Sequence, residues 1–377
     1  MPGRLFSLKC AEEKRIKTDR RSLNTAYKVI CMDYFKLVDK AYREHELTKD
    51  EIMRLLDPKS DEEEAYLFQK ADELRHECVG DWVHLRGLIE FSSYCRRNCK
   101  YCGLRRANVS LARYRLSPED IVAIAHEAAL LGYKTIVLQS GEDEFYTADI
   151  MAYIIKAIKK IADVAVTLCI GERSYEEYKI MREAGADRYL LKFETANPDH
   201  YQKMHPDMSY KNRIDCLLML KDLGYEVGSG DIVGLPGQTL EHLAEDIMLL
   251  KELNVEMAGI GPFIPHPNTP FRRAAGGTLE MTLGMVAITR LMLPYANIPA
   301  TTAVGTIHPQ GRQKALMAGA NVVMPNVMPA EYRPRYEIYP SKICIGEQPA
   351  HCRMCIEGII RSLGREVGRD YGSYRGR

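Results

Sequence analysis

From Val83 onward, short apolar runs alternate with amphipathic helical stretches, and this alternation constrains the fold more than any other feature. The runs are "VHLRGLIEF", "TIVLQ" from Thr135, "VAVTLC" from Val164, "RYLLKF" from Arg188, "EVGSGDIVG" from Glu226, "MAGIGPF" from Met257, "PATTAV" from Pro299 and "NVVMPN" from Asn321. Between them lie helical stretches such as "SYEEYKIMREAG", "SYKNRIDCLLMLKDLG" and "SPEDIVAIAHEAALL". In the last, Ser117 is placed to cap, Pro118 stands at the first helical position and Asp120 is expected to complete a capping box. About eight such strand–helix units predict an α/β fold, a closed (β/α)8 TIM-type barrel. Such a barrel needs about 250 residues, so 377 leave room for extensions.

The extensions sort by texture. Residues 1–24 are basic and are expected to be a flexible terminus. Residues 25–80 read as a helical layer, in which "LTKDEIMRLLD" offers Thr48 as N-cap ahead of Glu51. The barrel is expected over 81–340. Residues 341–377 form a C-terminal segment with cysteines and a basic, Gly-rich tail expected to be mobile.

Charge excludes some functions. Lysine and arginine number 52 against 51 acidic residues, a net charge of +1, which is no footprint for nucleic acid or an anionic membrane. No apolar run reaches the roughly 18 residues of a membrane span, and the basic start lacks a signal-peptide core. A cytoplasmic location is expected. The eleven cysteines are an odd count, unlike a disulfide framework. Cys10, Cys31, Cys78, Cys169 and Cys216 are scattered and read as packing thiols. The other six form two clusters, which points to metal ligation in a reducing compartment.

The first cluster follows the first strand at once. "SSYCRRNCKYCG" spaces Cys95, Cys99 and Cys102 as Cys-x3-Cys-x2-Cys. Three thiolates can hold three corners of a cubane cluster and leave one iron open, whereas a purely structural Fe–S or zinc site usually takes four protein ligands. Arg96, Arg97, Lys100, Arg105 and Arg106 crowd the loop and are expected to lower the thiol pKa values. A zinc knuckle borrowing a distant ligand is the competing reading of the loop.

With Tyr101 in the aromatic slot, this loop resembles the signature of the radical S-adenosylmethionine (SAM) superfamily. The resemblance implies a 4Fe–4S cluster on Cys95, Cys99 and Cys102, with SAM on the open iron and reductive cleavage to a 5′-deoxyadenosyl radical. It implies SAM contacts at the other strand ends. Gln139, Ser140 and Glu142 stand in "LQSGEDEF", where Gly141 permits close backbone approach and Glu142 is a candidate for the methionyl ammonium. Thr167 lies on the third strand. Lys192 and Glu194 end the fourth, and Arg213 on the next helix is a second candidate for a carboxylate. Ile232 belongs to a Gly-x-Ile-x-Gly element, and Pro262 to "GIGPFIPHPNTP".

Longer stretches, among them "ETANPDHYQKMHP", "NIPATTAVGT" and "YPSKICIGEQPAHCRMC", resemble the HydE-type maturases of FeFe-hydrogenase, in the biotin synthase and methylornithine synthase group. That resemblance runs from about Leu47 to Tyr371. It implies a small organometallic or sulfur-containing substrate, an iron–cysteine species, used in assembling the hydrogenase's diiron subcluster. It also implies an electron donor such as ferredoxin or flavodoxin and contact with other hydrogenase maturases. Thr301, Thr302, Met324, Tyr336, Tyr339 and Arg188 are the candidate substrate-lining residues. The chain departs from the family pattern at Lys192 and Phe193, where that pattern has Arg-His. Lysine keeps the charge without the fork, and phenylalanine removes the polar group.

Cys344, Cys352 and Cys355 form the second cluster, for which the resemblance implies an auxiliary Fe–S site. A zinc site or unligated thiols are the alternatives. Two rival functions remain: another radical SAM enzyme of the same group, and a non-enzymatic Fe–S carrier. Biotin synthase itself is disfavoured, because it needs several cysteines inside the barrel and only Cys169 and Cys216 fall in that region.

Overall fold

A computed structural model describes residues 33–376. The expectations for residues 1–24, the start of the helical layer, Cys10 and Cys31 lie outside the described residues.

Helices Tyr34–Glu44, Lys49–Leu55 and Asp61–Val79 precede the first strand. Thr48 and Glu51 form the capping box read from the sequence: each side chain takes the other's backbone N–H. The Ser117 expectation is half corrected. Its hydroxyl caps the Asp120 N–H, but Asp120 turns its carboxylate onto the Ser117 hydroxyl at 2.7 Å, not back to the N-cap backbone.

The strands are β1 (Trp82–Ser92), β2 (Thr135–Ser140), β3 (Ala165–Cys169), β4 (Arg188–Leu190), β5 (Glu226–Ser229), β6 (Ile232–Val233), β7 (Met257–Ala258), β8 (Gly261–Pro262), β9 (Val322–Val323) and β10 (Glu366–Val367). β1 to β5 and then β7 pair in order and in parallel. Residues 297–300 carry the ring onward. The Ala258 N–H donates to Asn297 O at 3.0 Å, and the Ala300 N–H to Val322 O at 2.8 Å. β9 then pairs with β1, His84 opposite Val322, and the barrel closes. The seventh run stops earlier than expected. Thr301 caps the helix Thr302–Ile307, so both threonines sit at a helix start directly beyond the strand.

Alternation along β1 separates the two faces. Val83, Leu85, Ile89 and Phe91 join the hydrophobic core under the helices. His84, Arg86, Leu88, Glu90 and Ser92 face the barrel interior. Arg86 reaches Met257 across the lumen, at 2.9 Å from its sulfur.

The C-terminal tail is not the mobile segment its composition suggested. β10 pairs in parallel with the start of β1, and residues 370–374 plug the N-terminal end of the barrel. Gly372 O accepts from Arg86 and from Asn297 Nδ2, both at 3.1 Å. Tyr371 O accepts from Thr135 at 2.8 Å and Arg188 at 3.0 Å. Buried guanidiniums need acceptors, and the tail's carbonyls supply them. A cleft of about 660 Å³ lies beside this plug, on the face opposite the cysteine loop.

Candidate active site

The cysteine loop leaves β1 at Ser92 and lies across the turn that follows β2. The approach is close enough to demand glycine at 141. A Cβ there would overlap Tyr94 O and stand 2.7 Å from Cys95 Cβ. Cys95, Cys99 and Cys102 are half-buried as residues, and their thiols are turned inward. Burial raises all three thiol pKa values, Cys102 to about 12, and repulsion from neighbouring thiolates adds to the effect at Cys99 and Cys102. This corrects the expectation that the neighbouring arginines lower them. Those arginines are turned onto carboxylates instead: Arg96 onto Glu142 and Glu144, Arg97 onto Glu142 and Glu172, Arg106 toward Asp207. Three buried thiolates so close together would need a cationic metal centre among them to stay ionised. Three thiols with no fourth protein ligand beside them among the described residues are the donor set of a cubane cluster that keeps one iron open.

Beside the thiols stands an ion network whose hub the sequence reading missed. Glu172 accepts from Arg97 at 2.8 Å, Arg213 at 2.9 Å and Asn212 at 2.9 Å. Its own N–H donates to Glu142 at 3.1 Å. Glu142 therefore lies at the cluster's edge, as expected for an ammonium acceptor, but its carboxylate is already shared with Arg96 and Arg97. Arg213 is likewise engaged: its second amino group donates to Lys192 O at 2.7 Å. Tyr101 donates to His205 Nε2, 2.8 Å away: burial pushes that imidazole down to about 3, which keeps it neutral, and its Nδ1–H is spent on Tyr201 O. His205 is a second residue without a local sequence signal.

The fourth and fifth strand ends are knitted together. Glu194 has φ +66°, the left-handed region that a non-glycine residue rarely occupies. Its N–H donates to Gly230 O, its O accepts from the Ile232 N–H, and its carboxylate pairs with Lys192 at 2.8 Å. β6 and β8 pair in parallel, Ile232 with Gly261 and Val233 with Pro262, so the Gly-x-Ile-x-Gly element and the Pro262 run, both candidate SAM contacts, are adjacent. Gln139 donates to Tyr336 at 3.3 Å, and Ser140 donates to Gly141 O. Thr167 Oγ1 is buried without a partner deeper in the lumen.

The substrate-lining candidates divide into two groups. Thr301 and Thr302 start the helix beyond the seventh strand, Met324 directly follows β9, and Tyr336 is buried against Gln139 of β2. Arg188 does not join them. It lies at the other end, held by Glu226 at 2.6 Å and by the tail. Of the second cysteine cluster, Cys344 is half-buried with Arg312 at 3.8 Å from its sulfur, Cys352 is buried, and Cys355 is exposed one helical turn beyond Cys352. The neighbouring Cys352 lowers the Cys344 thiol against the effect of burial, and the charge of Arg312 lowers it further.

Behind β5, Asp231 is fully buried and neither of its carboxylate oxygens has a hydrogen-bond partner. Burial pushes it up to about 7, against the attraction of Lys192, which outweighs the repulsion from Glu194 but not the burial. Asp246 nearby is raised as well, by burial and then by Asp231. The folded chain thus keeps a proton to higher pH than the unfolded chain. The stabilisation is complete below 3.8 and is lost as pH rises toward 7. Asp231→Asn should flatten this slope and raise the thermal midpoint at pH 8. Melts at pH 5 and pH 8 that shift equally would contradict it.

Comparisons with known proteins agree with this geometry. The family described as the radical SAM superfamily matches residues 89–250. The FeFe hydrogenase maturase subunit HydE of Thermotoga maritima is 56% identical over 306 residues, covering 81% of this chain and 88% of that protein. A 3-methylornithine synthase of Methanosarcina acetivorans is 28% identical, covering 81% of this chain and 86% of the other. Among solved structures, methylornithine synthase (PylB) superposes with a TM-score of 0.79 at 24% identity, covering 88% of this chain and 97% of its own. HydG, a maturase of the FeFe-hydrogenase, gives 0.78 at 19% identity, covering 93% and 79%. At those identities the two structures speak for the fold alone.

Proposed function

The chain belongs to the HydE family of radical SAM enzymes, and on that premise we propose that it serves the maturation of an FeFe hydrogenase by acting on a small sulfur- and iron-bearing substrate in its barrel. The observation that carries this reading is the three-thiol loop at the closed barrel's mouth, in a chain 56% identical to a HydE over most of its length.

When bound, a 4Fe–4S cluster with SAM on its open iron supplies the electron that releases a 5′-deoxyadenosyl radical. The protein's own residues hold, orient and enclose. Cys95, Cys99 and Cys102 provide three ligands. Glu142, braced by Glu172 and by three arginines, offers a carboxylate beside the loop for the methionyl ammonium. Lys192 and Glu194 present opposite charges at the fourth strand end, for the carboxylate and the ribose hydroxyls. Ile232 and Pro262 bound the adenine. Tyr336, buried and tied to Gln139, closes the chamber over the lumen.

Ferredoxin or flavodoxin is the proposed electron donor, the other hydrogenase maturases the proposed partners, and the cytoplasm the proposed location. Among the described residues no helix is long and apolar enough to cross a membrane. Complementation tests the pathway. In a host that makes an FeFe hydrogenase but lacks its own HydE, this chain should restore hydrogen evolution. Full SAM cleavage without restored hydrogenase would assign the chain to another member of the group.

An auxiliary Fe–S cluster at Cys344, Cys352 and Cys355 is part of the proposal. The triple serine variant should lose the iron of that site and keep 5′-deoxyadenosine formation. Loss of both together would give the second site a role in the chemistry.

A further inference from the structure

The cysteine loop has two electrically different sides. On one, Arg96 and Arg97 are taken up by Glu142, Glu144 and Glu172. On the other, cations are left over. Lys100 stands between Cys99 and Cys102, and Arg105 and Arg106 lie just beyond Cys102. The Lys100 N–H donates to Met204 O at 2.9 Å, which brings the exposed Lys203 alongside. Tyr101, Phe271 and Ala274 pack against Met204 and Phe263, so Arg272 and Arg273, exposed between Phe271 and Ala274, belong to the same rim. Among the described residues, the one ion pair that any of these six cations makes is Arg106 with Asp207, at 3.9 Å with the arginine side chain 65% exposed.

This excess is local. The chain as a whole carries 52 basic and 51 acidic residues, and the fold supplies carboxylates to the arginines on the other side of the same loop. Like charges gathered without counter-charges repel, and a partner's anions relieve that repulsion when they cover the rim. An apolar edge adjoins the cations. Val109 is 92% exposed, and Ala107 is exposed too. Asn108 between them is buried and fixes both: its side chain donates to Gly103 O at 2.8 Å and its N–H to Arg105 O at 2.9 Å. An apolar contact held in place beside charges of one sign has the anatomy of a docking surface. Its position says what docks. A protein seated on Lys100 rests on the chain that joins two cluster ligands, where an electron entering from outside has the least protein to cross.

We propose that this rim is the docking surface for an acidic one-electron carrier protein. The inference rests on the reading of the loop as the seat of the cluster that cleaves SAM, and it gives the electron donor a place and a charge. The carrier loses one electron and the cluster gains it. Cleavage of the C5′–S bond of SAM then consumes that electron and leaves methionine and the 5′-deoxyadenosyl radical. Carboxylates around the carrier's redox group pair with the rim cations, which speeds encounter and makes it sensitive to salt.

The test compares two reductants on one protein. The triple variant Arg106→Glu, Lys203→Glu, Arg273→Glu reverses three exposed charges. Lys156→Glu with Lys160→Glu, on the helix Ala148–Ile161, is the control for charge reversal elsewhere. With flavodoxin hydroquinone, an acidic carrier, as donor, the triple variant should form 5′-deoxyadenosine at least about tenfold more slowly than the unaltered protein. With dithionite, which needs no docking, the two should agree, and the control should match the unaltered protein with either reductant. Binding is read separately with oxidised flavodoxin, and needs no cluster. Affinity should fall at least about tenfold in the triple variant and fall for the unaltered protein as salt is raised, and cytochrome c, a basic carrier, should not bind. Flavodoxin binding that ignores the three reversals or the salt, no flavodoxin binding to the unaltered protein, equal binding of cytochrome c, or an equal loss with dithionite would overturn the proposal. If dithionite drives cleavage but flavodoxin does not distinguish the variants, the docking inference fails alone. Absent cleavage with dithionite in the unaltered protein is a failure of the functional reading, and the binding measurements still decide the surface.

Discussion

Cys99→Ser is expected to strip the protein of its first cluster and to reduce 5′-deoxyadenosine formation to the uncatalysed background. The reason is ligand arithmetic. Three protein thiolates hold three irons, and the fourth iron must stay open for SAM. A hydroxyl in place of Cys99 leaves a second iron without a thiolate, in a pocket where water cannot easily substitute because the thiol is fully buried. Cys95→Ser and Cys102→Ser should behave alike. Cys78→Ser is the control, since Cys78 lies on the helix Asp61–Val79 away from the loop. Iron content and visible absorbance after anaerobic reconstitution read the first effect, and nucleoside chromatography the second. A Cys99→Ser protein that keeps its iron and still cleaves SAM would remove this loop from the centre of the chemistry.

Glu172→Ala is the second large effect. Glu172 is 4% exposed at its side chain and neutralises Arg97 and Arg213 together. Without it, Arg213 keeps the Lys192 carbonyl and a distant Glu142 oxygen at 3.9 Å, and is otherwise a buried cation without a counter-charge. Removing one partner of such a buried pair costs about 3–5 kcal/mol. At roughly 2 °C per kcal/mol for a chain above 150 residues, the thermal midpoint should fall by about 6–10 °C. SAM affinity should fall with it, because Arg97 ties the cysteine loop to this network and Glu142 takes the Glu172 N–H. Glu172→Gln retains hydrogen bonding without the charge and should fall between the two. A midpoint unchanged within about 1 °C would show that the network is solvated and carries no load.

The sequence made the barrel legible because each strand and helix announces itself locally, by apolar period and by caps such as Thr48 with Glu51. The cysteine loop was legible for the same reason: its three ligands lie within eight residues. The Glu172 hub was not. Its partners, Arg97, Asn212 and Arg213, come from two other segments, and nothing in "CIGERSYEE" distinguishes one of its acidic residues from the rest. The tail was misread because glycine-rich, basic composition describes solvated chain. Its backbone carbonyls, invisible to composition, are what Arg86 and Arg188 bind. Arg188 was counted among the substrate-lining residues as a side chain inside the barrel, but a residue at the start of β4 opens onto the opposite end of it. The arginines of the cysteine loop were counted as charges near thiols, when acidic partners from distant segments had already claimed Arg96, Arg97 and Arg106.

Formation of 5′-deoxyadenosine by the unaltered protein tests the central claim most directly. The protein is reconstituted with iron and sulfide under anaerobic conditions, reduced with dithionite and given SAM. The account predicts 5′-deoxyadenosine and methionine in equal amounts, dependent on both the reductant and the iron. A reconstituted, iron-loaded and reduced protein that yields neither would contradict it.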